Sequence, residues 1–95
     1  MSRFTTRVQL FGSPTETIYN ELHEAMYKNG FNNAIDDNGK KYKLPHAEYV
    51  SFQGLSTLDV VKLAKEITST VWEDFCIFVT SSEVRWEYYN LTPLD

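Results

Sequence analysis

The chain has 95 residues, 42% of them hydrophobic and 15% aromatic, with 9 Lys and Arg against 13 Asp and Glu and a formal net charge of −4. This length suits one core, so a single domain spanning residues 1–95 is expected. The acidic balance argues against tight non-specific nucleic-acid binding, which depends on neutralising phosphates, and no stretch approaches the roughly 18 consecutive apolar residues of a helical membrane span.

The charge is uneven. Residues 1–54 hold six basic and six acidic side chains, whereas residues 55–95 hold three and seven, so contact with a polyanion falls to the first half. The opening Met1–Arg7 lacks the apolar stretch of a signal peptide. Cys76 is the sole cysteine and lies in the apolar run Phe75–Val79. It reads as a buried thiol in a reducing compartment, and the protein is expected in the cytoplasm. A small core leaves modest stability, which a homodimer would supplement.

Arg7-Val8-Gln9-Leu10-Phe11 alternates polar and apolar residues before Gly12-Ser13-Pro14, as a strand entering a loop does. Thr15 is placed to cap a helix over Glu16–Asn29, in which Ile18, Leu22, Ala25 and Met26 share one stripe. Gly30 is placed to stop it. Phe31–Ile35 reads as a short strand, Asn38-Gly39 as a hairpin turn, and Lys40–Leu44 as the return strand. Pro45 interrupts the ladder, and Ala47–Gln53 resumes it, with Val50 and Phe52 on one side and Tyr49 and Ser51 on the other.

Ser56 and Asp59 open a second helix whose buried stripe is Val60, Ala64, Ile67 and Val71. Phe75–Val79 reads as a central strand, and Val84–Tyr89 as a further one. The pattern implies an α+β fold of the ferredoxin-like βαββαβ type: an antiparallel sheet with two helices on one face, and an extra C-terminal strand.

Zinc-ligand spacing, a phosphate loop, a dinucleotide fingerprint and a nucleophile elbow are all missing from the sequence, so no metal or cofactor is expected. His23 falls at the border of the first helix's buried stripe. There it either titrates near neutrality and transfers protons, or packs its ring on the sheet as a boundary residue. Lys40-Lys41-Tyr42-Lys43-Leu44-Pro45-His46 is the one local basic cluster. Its lysines can hold phosphates while Tyr42 stacks on an unpaired base; alternatively they guard a hairpin edge against pairing. Aromatics are plentiful on the strands (Phe4, Tyr42, Tyr49, Phe78, Trp86, Tyr88 and Tyr89), and alternation makes some of them face away from the helices. Such a face either stacks bases or buries itself against a second copy of the chain, and the acidic balance of the last strands favours the second.

Thr5-Thr6-Arg7-Val8, Leu22-His23-Glu24-Ala25-Met26-Tyr27 followed by Gly30-Phe31, Gly39…Tyr42…Leu44-Pro45, and Ala47-Glu48-Tyr49 together resemble the GhoS-type antitoxins of type V toxin–antitoxin systems. The likeness covers roughly residues 5–80. It implies a small ferredoxin-like antitoxin with endoribonuclease activity on the messenger RNA of a membrane-active toxin. A related fold occurs in CRISPR-associated nucleases whose first strand ends in a metal-supporting Asp. Here that end is Leu10-Phe11-Gly12, which implies a metal-independent route. At the first-helix position where the resemblance implies a basic residue for RNA cleavage, this chain has His23.

On that reading the RNA 2′-OH attacks the adjacent phosphate and His23 or His46 moves the proton. Arg7, Lys41 or Lys43 steadies the phosphorane, with Lys40 and Tyr42 adding to the RNA-binding surface. The partner is then single-stranded messenger RNA. The competing expectation is a non-catalytic RNA- or protein-binding module of a mobile element.

Overall fold

The computed structural model describes residues 2–82 and 90–94. The strand expected at Val84–Tyr89, with its aromatics Trp86, Tyr88 and Tyr89, lies outside the described residues.

Alternation along the first strand, β1 (Ser2–Leu10), sends Phe4, Thr6, Val8 and Leu10 into the interior and leaves Arg7 and Gln9 exposed on the far side. Helix α1 (Glu16–Lys28) starts at Thr15, whose hydroxyl accepts the Ile18 amide at 3.3 Å. At its end the Gly30 amide donates to the Tyr27 carbonyl at 3.1 Å and the Phe31 amide to that of Met26 at 2.9 Å. These two bonds form a Schellman cap, and Gly30 supplies the left-handed φ of +89° that it demands. The cap turns the chain so that Phe31 enters the core at 0% exposure.

The expected strand at Phe31–Ile35 is therefore displaced: β2 runs over Ala34–Asp37 and pairs with β3 (Lys40–Lys43) through Asn38 and Gly39, both at positive φ. The Asp36 carboxylate accepts the Gly39 amide at 2.9 Å, so this aspartate is used in the turn. After Leu44, Pro45 and a left-handed Ala47 (φ +56°) bend the backbone before β4 (Glu48–Gln53). Helix α2 (Thr57–Ser69) is capped by Ser56, which accepts the Asp59 amide at 3.1 Å. Strands β5 (Phe75–Ser82) and β6 (Thr92–Pro93) complete the described elements.

Among the described residues six strands form two antiparallel three-stranded sheets, β4-β1-β5 and β2-β3-β6. The expected single sheet divides because the bend at Leu44–Ala47 redirects the chain between β3 and β4. Among the described residues one isolated bridge joins the segment before β2 to β4: Asn32 and Val50 exchange backbone hydrogen bonds of 2.8 and 2.7 Å. Beside that bridge Tyr49, Val50 and Ser51 are buried in succession, Tyr49 and Ser51 on the side of Thr6 and Phe4, and Val50 on the other. The opposite orientations of Tyr49 and Val50 agree with the sequence reading.

One core cluster joins Phe4, Val8 and Leu10 of β1 to Leu22 and Met26 of α1 and Val60, Ala64 and Ile67 of α2. Both helices accordingly cover the same face of the β4-β1-β5 sheet. The central strand is β1; among the described residues β5 pairs with β1 alone. Whether Phe75–Val79 has a second strand neighbour falls to residues outside those described. The expectation for Cys76 is corrected: it is exposed rather than buried, because Phe75, Ile77 and Val79 take the helix side and Cys76 shares the far side with Gln9. An unbroken apolar run hides that alternation. No helix among the described residues is long and apolar enough to cross a membrane.

Candidate functional site

Tyr19 and His23 stand four residues apart on α1 and so share a face. This face meets the bend that leads into β4, which carries His46, and the inward-facing Tyr49 of β4 itself. Four rings converge. His23 and His46 have centroids 6.0 Å apart and nearly perpendicular planes at 85°. Tyr19 lies 4.2 Å from His46 and 6.4 Å from His23, and Tyr49 lies 5.7 Å from His23.

Hydrogen bonds fix two of these rings. His23 Nδ1 lies 2.7 Å from Tyr49 Oη, and Tyr19 Oη accepts the Leu10 amide at 3.3 Å, anchoring its ring to the end of β1. Tyr49 is completely buried, His23 half-buried and His46 exposed. A graded site results, with a dry tyrosine at its floor and a wet imidazole at its mouth.

Burial lowers the His23 pKa, and the neighbouring charges of His46 and then Lys43 lower it further, against a smaller opposing effect of Glu16. Neutral imidazole is the resting form at this position near pH 7. Burial, reinforced by Tyr19, raises the Tyr49 pKa and keeps its phenol protonated.

The chain matches no protein-family model and no curated protein. The site is therefore read from its own geometry.

The two histidines singled out in the sequence are brought together, and Lys43 stands near enough to act on His23. The remaining basic residues are dispersed. On β3, Lys41 and Lys43 alternate with Lys40 and Tyr42, so the lysine cluster divides between two faces. The Lys40 ammonium lies 5.9 Å from the centroid of the half-buried Tyr42 ring. Arg7 emerges on the far side of the β4-β1-β5 sheet, next in register to Glu48 and Phe78, and is separated from the histidines by the sheet itself.

Sequence reasoning missed Tyr19 and Tyr49 as members of the site. The i,i+4 spacing of Tyr19 and His23 is a legible signal on α1. Tyr49 had only strand alternation to mark it. Among the described residues no group of three His, Cys, Asp or Glu side chains is arranged to hold a metal ion.

Proposed function

We propose that this chain is a small GhoS-like antitoxin that cleaves messenger RNA as an endoribonuclease by a metal-independent route, with His23 and His46 at its centre. The observation that carries the reading is the meeting of two imidazoles, 6.0 Å apart, beside Lys43. In-line attack by an RNA 2′-OH needs a proton acceptor, a donor toward the developing phosphorane charge and a nearby cation, and these three side chains supply that set.

The ferredoxin-like part of the reading is supported by the central position of β1, by both helices on one face, and by the Asn32–Val50 bridge. That bridge sets the chain after α1 alongside β4, giving the order Asn32 segment, β4, β1, β5. The β2-β3-β6 sheet is then an elaboration carrying the lysines.

The test uses a labelled single-stranded RNA incubated with purified protein, with and without EDTA. Cleavage that survives EDTA and leaves 2′,3′-cyclic phosphate ends is the expected result. Cleavage abolished by EDTA would overturn the route.

A second reading, a non-catalytic binding module, is favoured by the far face of the sheet. There Phe78 is 69% exposed beside Arg7, and Phe52 is 56% exposed on β4. These groups offer stacking and charge without a proton-transfer group; they also suit self-association. RNA binding without product at high protein concentration would support this module over the nuclease.

A further inference from the structure

The two histidines are not equivalent, and the difference lies in where the Tyr49 proton goes. Tyr49 is 0% exposed, so its hydroxyl reaches no solvent. Its one hydrogen-bond partner among the described residues is His23 Nδ1, at 2.7 Å. A buried O–H without an acceptor costs about 1–3 kcal/mol, so the phenol donates and Nδ1 accepts. A neutral imidazole that accepts at Nδ1 carries its proton at Nε2. His23 Nε2 has no partner among the described residues and is not among the buried unpartnered atoms. It opens to the site.

We infer that His23 is a fixed neutral hydrogen-bond donor toward a phosphate oxygen, that His46 is the proton-transferring group, and that Tyr49 is the positioning residue that imposes this division. The inference deepens the endoribonuclease reading and rests on it for its catalytic half.

Protonating His23 would place a second N–H at Nδ1, facing the Tyr49 hydroxyl, whose own proton would then lose its acceptor. The groups that face His23 are Tyr49 from β4, Lys43 from the end of β3, His46 from the bend before β4, and Tyr19 and Glu16 from α1. Only Glu16 favours its charge, and it is outweighed.

The proton of the RNA 2′-OH passes to His46 as the O2′–P bond forms. The P–O5′ bond breaks, and the departing O5′ takes the proton from the His46 imidazolium. The products are a 2′,3′-cyclic phosphate and a 5′-hydroxyl, and His46 is restored. Throughout, His23 Nε2–H donates to a non-bridging oxygen and keeps its proton.

Long-range proton–nitrogen correlation NMR on nitrogen-15-labelled protein at neutral pH reads the His23 tautomer directly, with no RNA present. Protonated Nε2 and bare Nδ1 are expected, and Tyr49→Phe is expected to relax that preference; a wild-type protein with protonated Nδ1 overturns the inference. In cleavage assays His46→Gln is expected to lose about 100-fold or more, as removal of a general base does. His23→Gln keeps an amide donor near the Nε2 position and is expected to stay within about tenfold of wild type. The reverse ranking overturns the division of roles. Should wild-type protein cleave no RNA, the nuclease reading fails, while the tautomer measurement still decides what Tyr49 does to His23.

Discussion

The Tyr19 ring packs 4.2 Å from the ring of His46, with the planes tilted at 60°. His46 is exposed and sits on a bend between Pro45 and the left-handed Ala47. Ring contact with Tyr19 is what orders its side chain, and Tyr19 is itself tied to the Leu10 amide. Tyr19→Leu keeps apolar bulk and removes both ties. It should cost about 1 kcal/mol of stability, the scale of one aromatic pair, and abolish the upfield ring-current shift of the His46 protons. A fall of about tenfold in RNA cleavage should accompany that shift. His46 resonances unmoved by Tyr19→Leu would show that the backbone alone positions the ring.

Acid should weaken the fold through His23. Burial first, then His46 and Lys43, hold its folded pKa below the ordinary 6.5. Between that lowered value and 6.5 the unfolded chain binds more protons than the folded one, so stability decreases as the pH is lowered through this window. The contribution is complete above the unfolded value and is lost as pH drops through the folded one. Urea midpoints measured from about pH 7.5 to about pH 5.5, above the main carboxylate range, should decline for wild type and decline less for His23→Gln. Parallel curves for the two proteins would remove His23 as the source.

Lys43 and Lys40 should behave differently although only two residues separate them on one strand. Lys43 acts on His23 and disfavours its charged form, whereas Lys40 lies toward the Tyr42 ring. Lys43→Gln should therefore raise the His23 pKa in an NMR titration, and Lys40→Gln should leave it in place. If RNA enters at the histidines, Lys43→Gln should also flatten the dependence of log affinity on log salt by about one. Equal titration shifts from both variants would mean that the hairpin acts only as a diffuse positive field.

Helices, caps and the hairpin turn were legible because each is a local event. Thr15, Gly30, Asn38-Gly39 and Ser56 all carry the conformations or bonds that their residue types favour. The division into two sheets was not legible in detail. Pro45 announced a break, but the left-handed turn at Ala47 is imposed on a residue that does not prefer it.

Cys76 shows a second limit: five apolar residues in a row conceal which of them face the helices. His23 was visible as a boundary residue from helical spacing. Its meeting with His46 was not, because it depends on where a bend in the chain places a residue 23 positions later. Tyr49 became part of the site for the same reason.

Thr6 offers a test of the core that is independent of the site. It lies at the centre of β1, paired with Tyr49 on one side and Val79 on the other, at 0% exposure. Its hydroxyl has no hydrogen-bond partner among the described residues, and neither does that of Thr68, also at 0% exposure on α2. A buried hydroxyl left unpaired is a cost to the fold, and Val has nearly the same shape with a better strand propensity. Thr6→Val should therefore raise stability by about 1 kcal/mol, read as a higher urea midpoint at unchanged slope. A lower midpoint would mean that this hydroxyl is hydrogen-bonded to ordered water in solution, and that the core under the sheet is wetter than its packing indicates.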